Sequence, residues 1–299
     1  MSIPWKGMTM CELLAMSAAL PTDLETSLAL LKPRGGELCP HADGWGVAVY
    51  EERAARLYKE PKAASSSRLF GSLRDYDISG RVILSHIRRA NPAAIGKSYA
   101  NTHPFEREVG GRSWTFAHNG KLTGIDQEQL TSFRPLGGTD SEHAFCLLLD
   151  HMKDFLSRDG GIADLDLALN QLVEKTTLMN RYGEANYFLS NGEHLFVHAH
   201  TYLHMLERHC AVDGQPQSVV LLATQPMTDE ENWSCLVPNT ICVFLRGEMI
   251  AQKATSGAAT QDAWKAQQKE AESFRTRKAE AAANAARIEA EKDMYWECS

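Results

Sequence analysis

Met10-Cys11-Glu12-Leu13-Leu14 puts a cysteine directly after a methionine near the amino end, and the reading of that cysteine decides the fold. If translation starts at Met10 and the methionine is removed, Cys11 becomes the first residue. Its thiol then shares a residue with a free α-amine, whose ordinary pKa of about 8 makes it a usable base at neutral pH. An amine can activate a nucleophile on its own residue, directly or through a water. The ordinary alternative is a small buried residue at the head of a strand, and without supporting residues elsewhere that alternative is preferred. While residues 1–10 are attached, the nitrogen of Cys11 is an amide without a basic lone pair. Ser2-Ile3-Pro4-Trp5-Lys6-Gly7 has no apolar run of signal-peptide length. The expectation is an extension that is absent from the mature chain, through a start at Met8 or Met10 or, as a second route, removal of a propeptide.

The 299 residues, 43% hydrophobic and 23% charged, suit an ordinary globular protein of one large or two small domains. No stretch approaches the roughly 18 apolar residues of a membrane span. A net charge of −7 argues against a nucleic-acid surface and fits a small neutral or zwitterionic ligand better. The seven cysteines have irregular gaps and no C-x-x-C pair, which speaks against a disulfide framework and a structural zinc site. A reducing cytoplasm is the simplest home, and no metal or other cofactor is expected.

Outward from Cys11, residues 12–19 read as a buried strand, and Pro21-Thr22-Asp23 as the cap of a short helix through Leu31. Asp43-Gly44-Trp45-Gly46 leads into the apolar strand 47–50, its glycines suggesting either close backbone packing beside a pocket or a tight strand entry. Residues 81–85 form another strand, ending in His86-Ile87-Arg88-Arg89; a cation there suits a pocket mouth or a solvated strand end. Asn101-Thr102-His103-Pro104-Phe105 reads as an extended turn. The strand 113–117 stops at His118-Asn119-Gly120, where asparagine-glycine is first of all a turn signal. The same dipeptide supplies a side-chain amide beside an unobstructed N–H, the parts of an oxyanion hole.

Thr139-Asp140-Ser141-Glu142 fits a capping box before a helix over 144–155, with Asp140 in the first turn where it can also meet an ammonium group. A second helix is expected over 162–178, then a hairpin of strands 186–190 and 194–199 joined by Asn191-Gly192, and strands near 219–224 and 240–245. His194, His198, His200 and His204 share a strand spacing that completes no metal site. Residues 261–296 hold no glycine or proline and read as one long helix. Phe274, Ala281, Ile288 and Tyr295 repeat every seven residues, but Lys278 and Lys292 break the companion positions, so a coiled coil is weakly supported. No nucleophile elbow, phosphate loop or dinucleotide fingerprint is present.

The joint order is more specific than any part: Cys11, Asp43-Gly44-Trp45-Gly46, His86-Ile87-Arg88, Asn101-Thr102-His103-Pro104, His118-Asn119-Gly120, Thr139-Asp140-Ser141-Glu142. It resembles the class II glutamine amidotransferase domain of the N-terminal-nucleophile hydrolases, most closely the stand-alone bacterial type, over roughly residues 11–250. The resemblance implies an α+β fold, a four-layer αββα sandwich; the C-terminal helical tail, read from composition, lies outside it. The chain is accordingly expected to divide into an extension (1–10), the amidotransferase domain (11–255) and the tail (256–299). The resemblance makes Cys11 the nucleophile, Asn119 and Gly120 the oxyanion donors, Arg88 and Asp140 the partners of the substrate's α-carboxylate and α-ammonium, and His103 a pocket wall. The implied reaction releases ammonia from glutamine through a γ-glutamyl thioester. Asn91 departs from the threonine or serine that many relatives carry there. A γ-glutamyl amide hydrolase and a non-catalytic glutamine-binding or assembly protein remain the alternatives. An ammonia-accepting partner protein and a homo-oligomer are both compatible with the pattern, and neither nucleic acid nor membrane is an expected partner.

Overall fold

The computed structural model describes residues 11–76, 78–90, 95–201, 203–212, 214–228 and 232–255. The expected extension 1–10, the departure at Asn91 and the tail helix lie outside them. The chain opens with β1 (Glu12–Asp23), α1 (Glu25–Leu31), β2 (Gly44–Glu51), β3 (Ala54–Glu60), α2 (Arg68–Ser72) and β4 (Ser79–Arg88). It continues through β5 (Phe105–Val109), β6 (Arg112–Leu122), α3 (Asp140–Met152), α4 (Leu165–Met179), β7 (Gly183–Ser190) and β8 (His194–Ala199). The last strands are β9 (His204–Val212), β10 (Gln215–Ala223), β11 (Ser234–Cys235), β12 (Thr240–Leu245) and β13 (Glu248–Ala254). All pairings are antiparallel, in one sheet ordered β11-β9-β10-β1-β4-β2-β3 and another ordered β13-β12-β8-β7-β6-β5.

Three separate cores follow from side-chain alternation along the strands. From β1, Leu14 and Met16 pack with Leu28 and Leu31 of α1 and Phe70 of α2. The intervening Leu13 and Ala15 face the other sheet, meeting a core that includes Ala117, Phe188, Val197 and Phe244. The far side of the second sheet gives Phe116, Tyr187 and Phe196 to Phe145 and Leu148 of α3 and Leu169 and Leu172 of α4. Helices therefore cover both outer faces, and the layers run α, β, β, α, as the resemblance implies. Because the central strands are buried on both faces, they read as continuous apolar runs and not as alternating ones. Tyr50 pins the sheets together, its hydroxyl lying 2.7 Å from Ser190 O and 2.9 Å from Thr115 Oγ1.

Three local expectations change. Pro21-Thr22-Asp23 does not cap α1: β1 resumes beyond an irregularity, pairing Thr22 with Gly80 and Asp23 with Ser79, and the cap position is Leu24. Asp23 still serves the helix, accepting from Glu25 N–H at 2.9 Å. Nor is Asn119-Gly120 a turn, since β6 continues to Leu122 and pairs Asn119 with Asn186 and Gly120 with Ala185. The glycine is there for space: a Cβ on Gly120 would stand 1.9 Å from Glu184 O, and its φ of 152° disfavours side chains. The capping box is half formed, with Thr139 Oγ1 accepting from Glu142 N–H at 3.1 Å while the Glu142 carboxylate points elsewhere.

Candidate active site

A cavity of about 910 Å³ opens where β1 begins and β4 and β6 end, near the start of α3. Its lining includes Cys11, Arg88, His103, Asn119, Gly120 and Asp140. These come from positions more than 100 residues apart, and all six site residues expected from the sequence are brought together.

Cys11 precedes β1, and its half-buried thiol rests against the end of β4. Arg89 N–H donates to Sγ at 3.2 Å, and the thiol donates to Arg89 O at 3.5 Å. Burial pushes the thiol up to about 11, against the opposing pull of the Arg89 N–H and the Arg88 cation. At neutral pH the sulfur is therefore protonated, and nucleophilic use of it demands a nearby base. Asn119 Nδ2 donates to Cys11 O at 2.7 Å. A carboxamide nitrogen carries two protons, so the second is left for a ligand.

Arg88 is buried and its Nη1 donates to Asp43 O at 3.4 Å. Asp43 in turn holds the chain after β4, accepting from Ala90 N–H at 2.7 Å and pairing with Lys97 at 2.8 Å. Burial raises the Asp43 carboxyl, but Lys97 and the Ala90 N–H outweigh it and leave it below its usual range. Asp140, first residue of α3, accepts from Leu122 N–H and from Ser141 N–H, each at 2.8 Å, which locks the helix start to the end of β6. His118 sits under it, Nδ1 2.8 Å from Ser141 Oγ and Nε2 3.1 Å from Glu184 O.

His103 is buried with its ring 4.2 Å from that of His86, and neither imidazole has a hydrogen-bond partner among the described residues. Burial holds His103 well below its ordinary pKa and lowers His86 to about 3, so both rings are neutral at neutral pH. The glycines of Asp43-Gly44-Trp45-Gly46 explain how His103 arrives there. A Cβ on Gly46 would stand 2.2 Å from His103 O, so close backbone packing beside the pocket is the correct reading of that segment. Trp45 points the opposite way, edge-on to Phe70 at 4.8 Å.

Glu142 and Asn101 stand in the motif order without a site role, and Arg107 stands outside it, yet all three shape the site. The Glu142 carboxylate accepts from Leu136 N–H at 3.0 Å, Gly137 N–H at 2.7 Å and Arg107 at 2.6 Å, which fixes the loop before α3 along the cavity. Asn101 Oδ1 accepts from Gly138 N–H at 2.9 Å and its Nδ2 donates to Gly96 O at 2.9 Å, tying two lining loops together. Only the glutamate of a capping-box pattern and the motif asparagine hinted at these bonds.

The model of the family described as glutamine amidotransferases class-II matches residues 10–215. The chain belongs to the class II glutamine amidotransferases. Within the family it is 36% identical to YafJ of Escherichia coli (strain K12) over 258 residues, covering 81% of this chain and all of YafJ. A crystal structure of a protein from Pseudomonas aeruginosa PA01, described as a predicted glutamine amidotransferase, is similar at 32% identity and a TM-score of 0.59, covering 81% of this chain and all of that one. Glutamine phosphoribosylpyrophosphate amidotransferase from B. subtilis shares the fold at 15% identity and a TM-score of 0.58, with 82% of this chain matching 49% of that one. Class II membership and the four-layer fold thus agree with the expectation drawn from the motif order. No helix among the described residues is long and apolar enough to cross a membrane.

Proposed function

We propose that the protein cleaves the side-chain amide of glutamine, with Cys11 as an N-terminal nucleophile and its own α-amine as the base. The observation that carries this reading is the convergence of Cys11, Asn119, Gly120, Arg88 and Asp140 on one cavity. In the proposed sequence the amine takes the thiol proton, the thiolate attacks the amide carbon, and the proton is passed to the departing ammonia. The γ-glutamyl thioester is then hydrolysed by water, giving glutamate and the free thiol.

A raised thiol gives the amine a purpose, because little thiolate exists near Arg89 without proton transfer. Asn119 has one N–H on the Cys11 carbonyl and a second for the tetrahedral oxygen, with Gly120 N–H as the other donor. Arg88 and Asp140 carry the right charges for the two ends of a zwitterion. His103 is a neutral wall. The amidotransferase domain is proposed to span 11–255, and the mature chain to begin at Cys11.

A cavity near the upper end of the roughly 300–1,000 Å³ range of small-molecule sites leaves room beyond glutamine itself. That favours a γ-glutamyl peptide or thiol conjugate as the second reading, with the same thioester. Rapid-quench intact mass of the Cys11-first protein mixed with glutamine tests the reaction. A glutamyl adduct on Cys11 with matching ammonia release supports it, and turnover with no adduct on any time scale sinks the thioester. Competition between glutamine and γ-glutamyl peptides then separates the two substrates.

A further inference from the structure

On the opposite face of the first sheet from the nucleophile, three residues gather that the reaction does not use. Side-chain alternation sends Cys11 toward the cavity with Leu13 and turns Glu12 outward with Leu14, under the loop joining α1 to β2. That loop brings Cys39 and His41 to Glu12, and one ligand atom from each of the three lies within 4.8 Å of the other two. His41 and Glu12 are fully buried and Cys39 is buried.

Their hydrogen bonding is incomplete in a way that packing does not explain. Both nitrogens of His41 lack a partner among the described residues, and so does Glu12 Oε1. The other carboxylate oxygen is taken: Arg34 Nη1 donates to Oε2 at 3.2 Å while its Nη2 donates to Pro226 O at 2.8 Å. Arg34 thus fixes the carboxylate through Oε2 and leaves Oε1 without a partner among the described residues. Buried polar atoms without partners are costly and uncommon, and here they belong to two side chains whose ligand atoms stand within 4.8 Å of each other and of a thiol.

We propose that Glu12, Cys39 and His41 bind a divalent transition ion of the zinc type. A thiolate, an imidazole and a carboxylate form a borderline-soft donor set that suits zinc or cobalt and disfavours magnesium and calcium. Bonds of about 2.0–2.3 Å in a tetrahedron separate the ligand atoms by roughly 3.3–3.7 Å, so side-chain adjustments of about an ångström close the site. Cys39 loses its proton to solvent as the thiolate binds, and a water fills the fourth position. The ion ties the first residue of β1 to the loop that carries Asp43, so its role is to hold the segment flanking Cys11. This inference does not depend on the proposed chemistry at Cys11.

The test is titration of the metal-stripped full chain with cobalt(II), read by its visible and thiolate charge-transfer absorption, alongside Cys39→Ser, His41→Gln and Cys11→Ser variants of verified fold. The expected result is saturation at one ion per chain in the wild type and in Cys11→Ser, with loss of the charge-transfer band in Cys39→Ser and at least a tenfold weaker site in His41→Gln. Zinc should also raise the melting temperature of the wild type and not that of His41→Gln. No saturable thiolate band in the wild type, or a band that survives Cys39→Ser or vanishes in Cys11→Ser, overturns the proposal. Should Cys39→Ser fail to fold, an unchanged zinc-dependent melting shift in His41→Gln overturns it equally.

Discussion

Asn119 Nδ2 donates a 2.7 Å hydrogen bond to Cys11 O, so the proposed oxyanion donor and the proposed nucleophile are already fastened to each other across the two sheets. One side chain therefore has two tasks, and they can be separated. Replacing Asn119 with alanine should lower kcat by a hundredfold or more, on the order of 3 kcal/mol, by removing an oxyanion donor. If the contact were only structural, thermal stability would fall while kcat measured below the melting transition stayed within a few-fold.

Gly120 offers a stability prediction of a different kind. Its Cβ position is filled by Glu184 O, and its backbone adopts a conformation that favours glycine. Gly120→Ala must part β6 from β7 at the cavity, and a loss of about 1–3 kcal/mol from strain alone is expected in denaturant unfolding. An alanine variant with wild-type stability and activity would show that the strands separate freely here.

The Glu142 carboxylate is buried, with Arg107 and the Leu136 and Gly137 N–H groups around it. Glu142→Ala removes one half of a buried pair and leaves Arg107 and two amides to find new partners, a change worth about 3–5 kcal/mol. The loop it holds lines the cavity, so KM should rise more than kcat falls. Unfolding curves and steady-state kinetics on the same preparation check both parts.

Acid should weaken the fold before its carboxylates titrate. Burial lowers His86 and His198 to about 3, against an unfolded value near 6.5. Between those values the unfolded chain binds more protons than the native one, so stability is full above pH 6.5 and falls as pH drops toward 3. At pH 5 each of the two should already cost about 2 kcal/mol. Urea midpoints at pH 7 and pH 5 test this, and a flat profile over that interval would contradict the neutral, buried state of the two rings.

The sequence made much of this fold legible, because the sheets are buried on both faces and their strands are uninterrupted apolar runs. The apolar run at 240–245 coincides with β12. What stayed hidden was exposed or remote. β3 and β13 lie at sheet edges with many solvent-facing side chains, and their composition does not separate them from loop. Asparagine-glycine occurs twice with identical local chemistry, as a real turn at Asn191-Gly192 and inside a strand at Asn119-Gly120. Only the carbonyl of Glu184, 64 residues further on, distinguishes the second from the first. The six residues that line the cavity are readable because the motif order carries them, whereas the Glu142–Arg107 pair and the Glu12, Cys39 and His41 group arise from segments that only tertiary contact unites.

In the proposed chemistry the α-amine of Cys11 arms its thiol, and glutamine hydrolysis by two forms of the protein, one beginning at Cys11 and one retaining residues 1–10, decides whether it does. The expected result is ammonia release by the Cys11-first form alone, with kcat/KM rising through an apparent pKa near the amine value of about 8 and not near the thiol's own value of about 11. Equal activity in the form whose Cys11 nitrogen is an amide would contradict it.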